Sequence, residues 1–278
     1  MVWWKGVLKT LFSIILILSL ILFVVFFVAS NANSEQALKP AFASMFESNF
    51  TGSMSQENIT AAYNMFKASC TGESITLPIQ GLDGKDLILT CAELNAAGSS
   101  GIVNLIENKV FDSAYQKDYG SNPITIIKAA MAGNSLVLVS KSAHDAFRTA
   151  SFMLLAIAAV MIMLIFLLSI PKLGSFVCLG IDFIIAGIPF IAIKILGPEF
   201  ISKLNMDAQT KSTVMPMAQK LLSQLSTLFL AFIVAGIALL IIGIVAVVVS
   251  RKKRIKKGRG KKSKAKEPEE ENEEDEEE

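Results

Sequence analysis

Asp182 is the residue in this chain whose position asks most of its surroundings. It lies in GSFVCLGIDFIIAGIPFIAIKIL, residues 174–196, where Lys194 is the only other charge. At helical rise, Asp182 is ~12 Å from one end of that stretch, close to mid-bilayer if the stretch spans a membrane. A carboxylate there costs ~2.5–3.5 kcal/mol on insertion scales, so it must face protein or water. Two chemistries fit: a hydrogen bond that locks helices together, or a relay for a proton or ion. Relays usually gather several intramembrane polar groups. Lys194 is ~18 Å further along the helix, too far to pair, and can snorkel to the interface. The helix-locking reading is therefore preferred. Gly174, Cys178, Asp182, Ala186 and Pro189 form a stripe of mostly small residues, and Ala231, Ala235, Gly236 and Gly243 form a second run. Such faces let membrane helices approach closely, within one chain or between copies in a homo-oligomer. Gly187 and Pro189 predict a kink.

Other reactive types are sparse. The only histidine, His144, stands beside Asp145. Adjacent residues on a helix point apart, so they do not form a catalytic pair, and His144 is expected at the surface near the outer membrane face. No Gly-rich phosphate loop, paired metal motif or serine elbow occurs. Neither an enzyme activity nor a cofactor is expected. Cys70 and Cys91 fall in one polar segment, where an oxidising compartment makes a disulfide the economical pairing. A loop of that size contributes about 3 kcal/mol. One His and two spaced Cys do not make a tetrahedral metal site.

Four apolar blocks must position these residues. The chain is 53% hydrophobic with mean hydropathy +0.54, and the excess sits in 10–29, 149–170, 174–196 and 221–250. About 20 apolar residues cross a hydrocarbon core, so the blocks predict four transmembrane helices. The last is ~45 Å long by helical rise and must tilt or extend beyond the core. Lys5, Lys9, Lys172 and the basic run after 250 mark the inner side under the positive-inside rule, giving cytoplasmic ends. Trp3 and Trp4 suit an interfacial anchor. Residues 1–9 are then a cytoplasmic N-terminus. The rival for the first block is a cleaved signal peptide with small residues Val28-Ala29-Ser30 at the cut. An h-region is usually 7–15 residues, which favours a retained anchor.

Residues 30–147 read as a small extracytoplasmic α+β domain. They carry eleven acids and seven bases. Helical spacing of Ile59, Tyr63, Phe66 and Cys70 predicts a helix over 53–69, with Ser53 and Gln56 as a capping box. SITLPI and DLILTC flank Asp83-Gly84 as a hairpin, with Cys91 closing the second strand. A second helix is expected over 99–119, ended by Gly120. Asn122-Pro123 starts a third, closed by Gly133. SLVLVS, 135–140, is a candidate third strand. Asn49 and Asn58 match the N-glycosylation pattern, but about two chance matches are expected for a motif this short in such a segment. Residues 197–220 form a Met-rich amphipathic loop whose methionines suit flexible packing.

The tail 251–278 has eleven basic residues followed by ten acidic ones. Arg251, Lys252, Lys253, Arg254, Lys256 and Lys257 directly follow an uncharged span. They suit the anionic inner leaflet, at ~1 kcal/mol each near the surface. Interleaved aromatics are missing, which argues against nucleic acid as a partner. The acidic half has no apolar residue to fold on and is expected to be disordered, available to a basic protein partner. The layout resembles the four-span adhesion proteins of the claudin kind, with cytoplasmic ends and a disulfide in the first outside segment. The resemblance stops at layout: the Gly-Leu-Trp and close double-Cys pattern is missing, and this outside segment is longer. The expected function is a non-enzymatic, multi-pass cell-membrane scaffold whose outer domain contacts a partner or the cell envelope. The alternatives are a small transporter using Asp182, and a sensor whose domain moves the first two spans.

Overall fold

A computed structural model of the chain describes residues 2–47, 55–78, 86–120, 122–132, 135–169, 174–202 and 208–263. The chain is mostly helical. Helix α1 runs Val2–Ala32, α6 Lys141–Leu168, α7 Gly174–Gly187, α8 Pro189–Ser202 and α9 Ala208–Ser263. Four stretches in them are long and apolar enough to cross a membrane: Trp4–Ala32, Lys141–Leu168, Gly174–Gly197 and Ala218–Ser250. Between α1 and α6 lie α2 (Glu35–Phe46), α3 (Gln56–Ser69), β1 (Ser74–Pro78), β2 (Asp86–Thr90), α4 (Cys91–Tyr115) and α5 (Pro123–Met131).

The long helices alternate in direction. Ser30, near the end of α1, meets His144, near the start of α6. Ser13 meets Asp182, while Val24 and Val28 cluster with Phe190 and Ile193 of α8, so α1 and α7–α8 run the same way. Gly180 faces Gly236, and Gly243 faces Val177, so α9 runs against α7. Leu16, Leu20, Ala158, Ile165, Leu179 and Ala186 fill the centre. Leu18, Leu22, Met163, Leu167, Ile195, Val234 and Ile241 point outward and stay exposed. Apolar outer faces on helices of this length match a hydrocarbon solvent rather than water.

The predicted kink in the third span is present. Pro189 has no N–H to donate, and the chain turns at Ile188 between α7 and α8. The fourth block belongs to one 56-residue helix, α9. The segment 197–220, expected as a loop, is therefore helical at both of its described ends, in α8 and α9. The helical backbone also continues through the basic run to Ser263; residues 264–278, with the acidic half expected to be disordered, lie outside the described residues.

The small domain departs from expectation in four places. Helix α3 starts at Gln56, capped by Ser55, whose hydroxyl accepts from Asn58 N at 3.4 Å; Ser53 lies outside the described residues. Helix α4 starts at Cys91, so this cysteine opens a helix rather than closing a strand. Thr90 and Glu93 form a full capping box there, the Thr90 hydroxyl accepting from Glu93 N at 3.2 Å and Thr90 N donating to Glu93 at 3.1 Å. Gly98, at φ +63°, kinks α4 without ending it, a conformation glycine adopts without strain. The helix stops at Tyr115, before Gly120 (φ +88°). Finally, Ser135–Val139 is a 3-10 helix, not a strand. Val137 is buried among Ile126, Ala143 and Phe147, and a short apolar run does not by itself distinguish strand from helix. The hairpin turn at 79–85 and Gly133 lie outside the described residues.

The remaining local signals hold. Strands β1 and β2 pair antiparallel, Ile75 opposite Leu89 and Leu77 opposite Leu87. Alternation puts Ile75, Leu87 and Leu89 on one buried face, against Leu94 and Ile102 of α4 and Ile59, Tyr63 and Phe66 of α3. Asn122 caps α5, its side chain accepting from Ile124 N at 2.9 Å with Pro123 in first position. Ser140 caps α6, accepting from Ala143 N at 3.2 Å. Cys70 and Cys91 form a disulfide, joining the end of α3 to the start of α4.

Candidate functional site

Asp182 stands on the same face of α7 as Cys178, one turn earlier, and both meet Ser13 of α1. The Ser13 hydroxyl donates to the Asp182 carboxyl at 2.9 Å and lies 3.8 Å from the Cys178 sulfur. Asp182 is 4% exposed and Ser13 9%. A hydrogen bond to a carboxyl in a medium of low dielectric is stronger than one in water, and leaving that carboxyl without a partner is correspondingly costly. The geometry therefore ties the first span to the third. Ser175, also on α7, is fully buried, and its hydroxyl has no partner among the described residues.

The sequence pointed to Asp182 but not to its partner. A serine inside an apolar span carries little signal, because its hydroxyl can return to the backbone one turn earlier, as Ser169 does to Ile165 at 2.8 Å. The small-residue stripes expected from the sequence make up only part of the contact. The closest helix contact uses Gly180 and Gly187 of α7, off the stripe through Asp182, against α9. A Cβ at Gly180 would lie 2.8 Å from the Gly236 carbonyl oxygen and from Leu240 N. A Cβ at Gly243 would lie 2.9 Å from Val177 N. Both glycine pairs are seven residues apart, so each returns to one face every two turns. Gly236 and Gly243 were in the predicted run; Ala231 is exposed and stands outside this contact.

Lys194 is exposed on α8, its ammonium 5.5 Å from the Phe190 ring centroid. It borders a cavity with Met215 and Gln219 of α9 and does not approach Asp182 through any described bond. His144 corrects the surface expectation. It is half-buried, its Nδ1 2.7 Å from the Ser30 carbonyl oxygen, and the Ser30 hydroxyl donates to the His144 carbonyl at 3.3 Å. Asp145 is exposed and points elsewhere, as adjacent helix positions require. Phe26 and Phe147 stack obliquely nearby, 5.7 Å between centroids. Tyr115 of α4 donates to the Asn33 carbonyl at 3.1 Å, just beyond the end of α1, and burial pushes its hydroxyl above the usual phenol range.

Asn58 is exposed in the first turn of α3, and Asn49 lies outside the described residues. The side chains of Arg251, Lys252, Lys253, Arg254, Lys256 and Lys257 are likewise not described, although their backbone is helical. Among the described residues no three His, Cys, Asp or Glu side chains gather to hold a metal. Glu93 forms an ion pair with Lys109, 2.7 Å away, across the Gly98 kink. The hydrogen bond from Lys109, helped by those from Thr90, holds its carboxyl down at about 2. This pair braces the two halves of α4 and belongs to the fold. No known protein family, curated protein or solved structure matches the chain.

Proposed function

We propose that the chain is a four-span membrane scaffold with both ends in the cytoplasm, presenting the disulfide-stapled domain on the outer side for a protein or envelope partner. The observation that carries this reading over ion-coupled transport is the Ser13–Asp182 bond. The carboxyl of the intramembrane acid is 4% exposed and engaged in a helix contact. Alternating helix directions bring the start of α1 and the end of α9 to one side. Lys5, Lys9 and the basic run then share that side, as the positive-inside rule requires. Leu16, Leu20, Val24 and Val28 of α1 are buried in the bundle, which supports a retained first helix rather than a cleaved one. The basic run would lie against anionic lipid, and the acidic end, 267–278, would recruit a basic cytoplasmic partner. Deleting 267–278 should lose that partner and leave topology unchanged.

A sensor reading has its own support. Phe26 and Ala29 of α1 and Ala143, Ala146 and Phe147 of α6 share one cluster with Ile126 and Val137 of the small domain. With the His144–Ser30 and Tyr115–Asn33 bonds, this joins the domain to both spans at their entry. A partner that shifts the domain would move α1 against α6.

Topology is the test. In a Cys178→Ser background, Asn58→Cys should react with a membrane-impermeant maleimide on intact cells. Ser263→Cys should react only after permeabilisation. The reverse pattern overturns the orientation, and reaction of both sites on intact cells overturns the four-span count.

A further inference from the structure

We propose that the cleft between the end of α1, the start of α2, the end of α4 and the first turns of α6 is a phospholipid site. Its headgroup chemistry is that of a phosphate carrying a primary amine, as in phosphatidylethanolamine. The cleft encloses about 660 Å³, and Glu35, Tyr115, His144, Arg148, Phe27 and Phe152 are among its lining residues. That volume is within the ~300–1,000 Å³ usual for small-molecule sites.

The position along the helices fits a lipid. Phe27 and Phe152 belong to the apolar stretches Trp4–Ala32 and Lys141–Leu168, near the ends that meet at the small domain. Both rings are exposed, Phe152 at 59%. They offer an acyl chain a surface next to a polar opening, the arrangement expected where hydrocarbon gives way to headgroups.

The charges select the head. Arg148 lies with its guanidinium 5.9 Å from the Phe152 ring centroid and forms no ion pair among the described residues. Glu35 lines the same cleft, also without an ion-pair partner there. Two opposite charges thus border one cavity without meeting. A guanidinium matches phosphate oxygens as a two-pronged donor. A carboxylate matches a primary ammonium, which brings three N–H donors. A trimethylammonium head has no N–H for Glu35, and the Phe152 face that could receive it is covered by Arg148. A glycerol head with net negative charge would face Glu35 with no compensating cation. His144 and Tyr115 hold the walls: their bonds to Ser30 and Asn33 tie α6 and α4 to the end of α1.

The test uses the full-length protein, delipidated in detergent and titrated by native mass spectrometry. The probes are phosphatidylethanolamine, phosphatidylcholine and phosphatidylglycerol with identical acyl chains, and soluble glycerophosphoethanolamine. Wild type should bind the ethanolamine lipid about tenfold more tightly than the other two, the scale of one charge-assisted hydrogen bond. Arg148→Gln should weaken all three lipids about tenfold. Glu35→Gln should erase the preference while leaving phosphatidylcholine binding unchanged. Arg148 and Glu35 are exposed, so melting temperatures should stay at the wild-type value. Arg148→Lys, which keeps charge but not the fork, should fall between wild type and Arg148→Gln and serves if the latter melts early. Equal binding of the three lipids by wild type overturns the proposal, as does a preference that survives Glu35→Gln. Soluble headgroup binding as tight as the lipid would make the site one for a free phosphoamine instead and also overturns it.

Discussion

Gly236→Ala tests the closest packing in the bundle. A Cβ at Gly236 would stand 2.7 Å from the Gly180 carbonyl oxygen and 2.8 Å from Ile184 N, both backbone atoms that no rotamer change can move. Ordinary contact begins at 3.4 Å. Relieving the clash therefore parts α7 and α9 by roughly 0.7 Å, in the range where overpacking costs ~1–3 kcal/mol. Alanine returns up to ~1 kcal/mol of helix propensity, so a net loss of about 1–2 kcal/mol is expected. Gly174→Ala is the internal control. Nothing lies within 4 Å of its Cβ, so it should leave stability unchanged or slightly raised. Both variants can be unfolded with SDS in mixed micelles and followed by circular dichroism. Equal midpoints for Gly236→Ala and Gly174→Ala would refute the account of this interface. A raised midpoint for Gly236→Ala would do so more strongly.

Two further outcomes concern the small domain. Cys70→Ser should weaken it by about 3 kcal/mol, seen as earlier proteolysis between the first two spans while the spans themselves remain intact. Unchanged proteolysis would mean the disulfide is not a staple. Glu93 has a folded pKa of about 2, below the ordinary carboxylate range near 4.3. Its contribution is thus fully present above about pH 4.3 and is lost as pH falls towards 2. Both side chains of the pair are about a third exposed, 33% and 37%, so solvent screens them and the loss should be shallow. Glu93→Gln should flatten that part of a pH–stability curve; an unaltered slope would assign the acid sensitivity elsewhere.

The membrane spans were legible because length and composition alone specify them: Trp4–Ala32 and Ala218–Ser250 are long and strongly apolar. The kink at Pro189 was legible because a missing N–H is a local property. The disulfide followed from parity and the compartment inferred from the spans. Pairwise contacts were not legible. Gly180 and Gly236 touch because α7 and α9 run antiparallel at one register, and neither residue encodes the other's identity. Ser13 looks like any serine in an apolar run until α7 brings Asp182 beside it. The early start of α4 did have a signal: Thr90-Cys-Ala-Glu93 is a capping-box pattern. It was hidden because the same residues also complete the apolar run of β2. The run at 135–139 was ambiguous in principle, since four apolar residues after Ser135 fit either period and tertiary packing under α5 decided it.

The central claim is that Asp182 holds helices together and does not move ions. The direct measurement compares wild type and Asp182→Asn reconstituted in liposomes, reading proton and sodium flux under an imposed gradient beside the thermal midpoint. The account predicts flux at the level of empty liposomes for both proteins and a lower midpoint for Asp182→Asn, because the amide brings two N–H donors into a buried site where only the Ser13 hydroxyl and the Cys178 sulfur are at hand. Gradient-driven flux through wild type, abolished in Asp182→Asn at an unchanged midpoint, would contradict it.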